Sequence, residues 1–313
     1  MPNFHALASA LSFPNTNVVV VGGTQGIGAG IAVRFAELGA SVLIVGRNET
    51  VGGEMVTNLE KASSANGHQP NGVKFGFSRG DLSSVEGIKG AAKSIAKWIG
   101  DGEIHYLFQT QGGVSTGILN LTPEALEAGF NVQILSHFLV PYLLISLPEP
   151  VLRKGAQICN IARPGEKNRN IDFDDFLCLK ALETGTFRLW RDPMKYCFMM
   201  DLFTHEFNVR FPDTHTTHVF PGTVGTLMFR HPTVPWWAQM VFQVLILVPF
   251  LTRSPKQYAD VAVWEIASEE AKALHRTFWD EYGREVDVDQ RVKTDSEIRV
   301  RVWDKLLQLS KST

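Results

Sequence analysis

The sequence predicts an α/β domain built on a doubly wound parallel sheet, and three observations predict it. Short apolar, β-branched runs alternate along the chain with segments of helical periodicity. The runs lack the polar alternation of a half-exposed sheet, and a glycine cluster separates the first run from the first helix. Continuous apolar runs suit strands covered on both faces. Strands alternating with helices imply βαβ units with right-handed crossovers.

The elements follow in order. Asn17 to Gly23 (NVVVVGG) reads as a first strand, and Ile27, Ile31, Phe35 and Leu38 mark a helix closed by Gly39. Ser41 to Arg47 (SVLIVGR) is a second strand, and Asn48 to Lys61 a second helix. Ala62 to Gly72 (ASSANGHQPNG) is a polar loop rich in turn residues. A third strand at Val73 to Phe77 is followed by Asp81 and a helix from Ser83 to Ile99. Ile104 to Thr110 runs as a fourth strand into Gln111, Gly112 and Gly113. Thr122-Pro123 has the order of an N-cap and first helical residue, and a longer apolar helix covers Phe130 to Leu147. Ala156 to Ile161 is the fifth strand. The rhythm then breaks in a mixed insert, 163–191, and resumes with a helix opened by Asp192-Pro193. Thr216 to Phe220 is a sixth strand, ending in Pro221-Gly222. The last sixty residues read as polar and helical, with Glu297 to Leu309 the clearest helix. No linker divides the chain, so residues 1–313 are expected to form one domain.

Composition narrows the function. Lys plus Arg is 30 against 32 for Asp plus Glu, a formal net charge of −2. That balance supplies no basic face for nucleic acid. Three cysteines, none in a CxxC pair, argue against a disulfide scaffold and against zinc. His215 and His218 flank two threonines, yet no carboxylate or cysteine completes a ligand set, and no metal site is expected. The N-terminus shows no signal-peptide pattern, and the expected location is the cytoplasm.

The glycine cluster carries chemistry. In Val21-Gly22-Gly23-Thr24-Gln25-Gly26-Ile27-Gly28 the glycines Gly22, Gly26 and Gly28 are spaced GxxxGxG where a strand turns into a helix. Bare backbone lets a phosphate approach, and the helix start offers unpaired N–H groups and a positive dipole end. Thr24, Gln25 and Ile27 belong to the same loop. Arg47 ends the second strand, where an acidic residue would hold an unphosphorylated ribose. A guanidinium there suits a 2′-phosphate, the alternative being a solvated surface arginine, so the expected cofactor is NADP rather than NAD. Asp81, with Leu82, is placed to accept from an adenine amino group, or else to cap the following helix.

On these residues the chain resembles the short-chain dehydrogenase/reductase superfamily. The resemblance rests on VGGTQGIG, Arg47, Asp81-Leu82, Gln109-Thr110-Gln111-Gly112 and Pro221-Gly222-Thr223, and runs from Asn17 to Thr226. The tail from Phe278 to Leu309 is loosely similar to retinol-dehydrogenase-like members. The resemblance implies a Rossmann-type fold, cofactor contacts at Gln111 and Gly112, and hydride transfer to or from an alcohol or carbonyl carbon. It also implies a place in secondary-metabolite biosynthesis.

The catalytic pattern departs from that family, which uses an Asn, a Ser and a Tyr-x-x-x-Lys pair. None of the five tyrosines here has lysine four residues later. The best placed is Tyr196, with Lys195 beside it and Met200 where lysine would stand. The family serine falls at Arg163 and the asparagine at Gln133. Three alternatives stand: Tyr196 donates the proton with Lys195, Arg163 or Arg191 as its cation; the fold binds NADP without turnover; or hydride transfer proceeds without a protein acid.

One further stretch has a character of its own. Residues 232–252 carry no charge and include Trp236, Trp237 and a VLILV run, interrupted by Pro235, Gln239, Gln243 and Pro249. The reading is an apolar helical lid that walls a pocket for a hydrophobic small-molecule substrate. A membrane span, peripheral contact with a membrane and contact with a second copy of the chain are the alternatives for the same stretch.

Overall fold

The computed structural model of the chain describes residues 2–68, 72–112, 117–187, 192–226, 236, 240 and 252–311. One sheet of seven strands runs through them: β1 (Asn17–Val21), β2 (Ser41–Gly46), β3 (Phe75–Arg79), β4 (Ile104–Gln109), β5 (Leu152–Ile161), β6 (His215–Val219) and β7 (Phe278–Trp279). Their spatial order is β3-β2-β1-β4-β5-β6-β7, and every neighbouring pair is parallel. This is the doubly wound arrangement that the alternating runs predict.

The helices in chain order are α1 (Phe4–Ser9), α2 (Gly26–Glu37), α3 (Glu49–Ala65), α4 (Val85–Ile99), α5 (Ala128–Phe130), α6 (Ser136–Ile145), α7 (Leu179–Glu183) and α8 (Asp192–Arg210). After them come α9 (Pro255–Ala267), α10 (Glu269–Ala273), α11 (Gln290–Thr294) and α12 (Ser296–Leu309). The strands show why both faces need cover. Val19, Val21, Leu43 and Val45 enter one core with α4, α6, α8 and α12, whereas Val18, Val20, Val42 and Ile44 enter another with α1, α2, α3 and α9. Each such side chain is fully or almost fully buried, a stabilisation of about 1.5–3 kcal/mol apiece.

Several boundaries move. β3 begins at Phe75 instead of Val73, and α3 extends to Ala65, into the expected polar loop. β5 starts at Leu152, ahead of a register shift against β4. Thr122-Pro123 opens no helix: Ala125 takes φ +57°, and the Thr122 N–H donates to Leu126 O at 2.8 Å. The cap is Glu127, whose carboxylate accepts from the N–H groups of Gly129 and Phe130. Between α5 and α6 the chain makes a π turn, Asn131–Leu135, and Gln133 lies within it. The stretch Ala128–Ile145 is long and apolar enough to cross a bilayer, but 67% of it is buried in the protein. Helices α1 and α9 and strand β7 were not expected individually.

The apolar segment 232–252 lies outside the described residues except for Trp236, Met240 and Thr252. Its base is held: Gly225 N–H donates to Arg253 O at 2.8 Å and Arg253 N–H to Thr223 O at 3.0 Å. The described part of the insert, 163–187, is mostly irregular apart from α7, and it is clamped to the C-terminal region. Lys167 pairs with Asp287, and the Asn168 N–H donates to Asp289 Oδ2 at 2.8 Å.

Candidate active site

The sheet order selects one edge. β1 and β4 are neighbours although two strands separate them in sequence. The connections that leave them therefore diverge and open a crevice beyond Val21 and Gln109. Gly22 (φ +79°) and Gly26 (φ +57°) adopt left-handed backbone there, which side chains resist. Space requires glycine as well. A Cβ on Gly22 would lie 2.7 Å from the Gln111 nitrogen, and one on Gly28 only 2.4 Å from Thr110 Oγ1. Thr110 Oγ1 donates to Val21 O at 2.8 Å, tying the loop to the end of β4. Helix α2 starts behind Gln25, whose side chain makes no capping bond, so first-turn N–H groups remain for an anion. Thr24 and Ile27 complete a cradle whose bare backbone fits a dinucleotide pyrophosphate.

The remaining expected cofactor contacts border this crevice. Arg47 follows β2 and is exposed. Asp81 is exposed and accepts from the Ser83 N–H at 3.1 Å. It does not cap α4: Ser84 does, accepting from Gly87 N–H at 3.1 Å. Leu82 is buried in the core beneath. Gln111 is buried at the mouth of β4 and Gly112 is exposed beside it.

Beneath the strand ends lies a buried polar layer that sequence reasoning missed. Gln109 Nε2 donates to His137 O at 2.8 Å and to Asn160 Oδ1 at 2.7 Å. Gln111 Nε2 donates to Ser136 Oγ at 3.0 Å. His137 places Nε2 2.8 Å from Gln111 O and Nδ1 3.2 Å from Asn160 Oδ1. Burial pushes the His137 imidazole down to about 4, so it is neutral and its one N–H can donate to only one of these two oxygens. One strand over, in register with Asn160, His218 pairs with Asp201 at 2.8 Å, both fully buried. Gly165 N–H donates to the second Asp201 oxygen. The signal was present: glutamine, asparagine and histidine recur near the ends of otherwise apolar strands. Buried polar groups are in most cases hydrogen-bonded.

The expected proton donor is corrected. Tyr196 turns into the core, edge-on to Phe130, and its hydroxyl donates to Leu177 O at 3.2 Å. Burial drives its acidity far below that of a free phenol, raising the pKa. Lys195 points elsewhere, 3.7 Å from Asp192 Oδ1, and among the described residues no cation is paired with the phenol. The reason is helical phase: Tyr196 lies on the face of α8 that packs on α5. The neighbouring Cys197 thiol is pushed up to about 12, by burial first and then by Asp201 and Glu166, which leaves it protonated and unreactive. Arg191 lies outside the described residues. Arg163, just beyond β5, is 58% exposed, with Nε 3.4 Å from Glu166 Oε1. It is the cation that the fold presents at the end of β5. His215 Nε2 bonds to Arg276 O, and among the described residues no group of side chains is arranged to hold a metal ion.

The chain matches the family model for the short chain dehydrogenases over residues 16–173, and it belongs to that family of oxidoreductases. An uncharacterised oxidoreductase of Schizosaccharomyces pombe is 27% identical over 83% of this chain and 76% of its own length. Human retinol dehydrogenase 11 is 27% identical over 77% of this chain and 71% of its own. Among solved structures, the angucycline C-6 ketoreductase LanV with bound NADP superposes with a TM-score of 0.59. It is 18% identical, covering 87% of this chain and 95% of that one.

Proposed function

We propose that the protein is an NADP-dependent oxidoreductase acting on a hydrophobic alcohol or carbonyl compound. The observation that carries this reading is the glycine cradle at the end of β1 with Arg47 beside it at the end of β2. When bound, NADP supplies or accepts the hydride. The chain's own residues then have separable tasks. The loop Gly22–Gly28 holds the pyrophosphate with main-chain N–H groups. Arg47 pairs with the 2′-phosphate, and Asp81 receives the adenine amino group. Gln111, fixed from below by His137 and Ser136, lines the nicotinamide end with Gly112. Arg163 stabilises negative charge on the substrate oxygen, and solvent furnishes the proton in place of a tyrosine. A hydrophobic substrate is consistent with the apolar stretch 232–252 and with a retinol dehydrogenase among the relatives. The same stretch is the proposed contact with a membrane or with a second copy. A role in secondary metabolism draws support from the resemblance to LanV.

Titration of the protein with NADPH and NADH tests the cofactor assignment. Arg47→Glu should weaken NADPH binding by about a hundredfold, since it reverses a charge beside a phosphate, and leave NADH nearly unchanged. Equal losses for both nucleotides would reject the assignment. A second reading, NADP binding without turnover, is favoured by the burial of Tyr196. Oxidation of bound NADPH by a panel of hydrophobic aldehydes and ketones separates the two, because the binding-only protein leaves the nicotinamide absorbance unchanged.

A further inference from the structure

The ends of β2 and β3 bring together a second charged group that the glycine-loop pattern does not include. Gly46 and Arg79 are partners in the parallel register, and the Gly80 N–H donates to Gly46 O at 2.9 Å. Registered residues of parallel strands project to the same face of the sheet. For Gly46 that face is occupied by the glycine loop: a Cβ there would lie 2.5 Å from Thr24 Cγ2. Arg79 therefore rises one strand away from Thr24, on the side where α3 begins. Its position there is confirmed by Glu49, the first residue of α3, 3.8 Å from Arg79 Nη1. Arg47 and the α3 cap Asn48 immediately precede Glu49. Thr24, Gly46, Arg47 and Arg79 thus border one notch beside the cradle.

Neither guanidinium in this notch is committed. Arg47 is exposed, and no carboxylate pairs with it among the described residues. Arg79 and Glu49 are 69% and 70% exposed, and an open pair at that separation contributes at most about 1 kcal/mol. A phosphate monoester carries close to two negative charges near neutral pH and accepts strongly from two guanidinium groups.

Resting on the NADP reading above, we propose that Arg79 is a second specificity-determining residue for the cofactor. Arg47 and Arg79 hold the 2′-phosphate between them, and Glu49 is the competing anion from which Arg79 is drawn.

Calorimetric titration with adenosine 2′,5′-bisphosphate and with 5′-AMP isolates this notch from the nicotinamide end. The wild-type chain should prefer the bisphosphate. Arg79→Ala should reduce that preference by about tenfold through the bisphosphate alone. Glu49→Gln should raise bisphosphate affinity severalfold and leave 5′-AMP unchanged. A wild-type chain with no preference would overturn the NADP reading and the role of Arg79 together. A wild-type preference that survives intact in Arg79→Ala would overturn the role of Arg79 alone. Both variants lie on the surface, and an unchanged thermal midpoint confirms that the fold is retained.

Discussion

Gly28 shows how tightly single positions are constrained at the cradle. It lies in the first turn of α2, where alanine is the better helix former by about 1 kcal/mol. Propensity is overruled by space, because an added Cβ would meet Thr110 Oγ1 at 2.4 Å and the Gly22 carbonyl oxygen at 2.5 Å. Thr110 is itself committed to Val21 O and has no free direction to yield. Gly28→Ala should therefore destabilise the chain by about 1–3 kcal/mol, the usual cost of overpacking. It should also abolish NADPH binding, since relief requires the loop to move. Urea denaturation and nucleotide titration read the two effects separately. The same attention to single side chains explains Tyr196. Its phenol was the best-placed acid in the sequence, but one helical position decides whether a side chain faces a crevice or a core. No spacing rule in a divergent chain could supply that phase.

Helix α8 is held by charge as well as by apolar packing. Glu206, nearly buried, accepts from Arg210 Nε at 2.8 Å on its own helix and from Arg299 Nε at 3.0 Å on α12. Arg299 Nη1 also donates to Val292 O and Lys293 O, at the end of α11. This carboxylate joins α8 to the C-terminal helices and so steadies the element that backs Asp201 and the loop after β5. Removing one member of a buried pair strands the other charge, at a cost of about 3–5 kcal/mol. Glu206→Ala should lower stability by that order in chemical denaturation. Adding Arg299→Met to the same chain should restore part of the loss, and a double mutant no better than the single would show that the pair is not the cause. The opening strands and α2 through α4 were legible in the sequence because their apolar periodicities are strong and their turns are marked by glycine. The segment 122–135 was not. There a capping signal, Thr122-Pro123, competes with the carboxylate of Glu127, and the first turn of the following helix is a π turn that no 3.6-residue pattern describes.

For the molecule as a whole, the buried polar layer ties stability to pH. His137 has no carboxylate partner and titrates near 4 when folded, below the ordinary 6.5 of an unfolded histidine. As pH falls the unfolded chain takes up that proton first. The stabilisation is complete above about pH 6.5 and is lost progressively towards pH 4, up to about 3 kcal/mol for this group. His105, His205 and His215 are lowered by burial in the same direction and add to the trend. Unfolding free energies measured between pH 7 and 4 should fall steadily, and His137→Gln should flatten the curve. A curve of unchanged slope in that variant would assign the acid sensitivity to other groups.

The amino-acid order alone was enough to specify the succession from β1 to β6, the parallel doubly wound sheet, the glycine loop after β1 and the arginine after β2. Those features are written in local terms, as runs of β-branched residues, helical periods and glycines where backbone must come close. Folding settled matters that depend on residues far apart in the chain. It placed Arg79 beside Thr24, joined Gln109, His137 and Asn160 into one network, and turned Tyr196 inward onto Phe130. Strand order and helix phase fix such meetings, and both come from packing two cores against one sheet, which a reading along the chain does not contain.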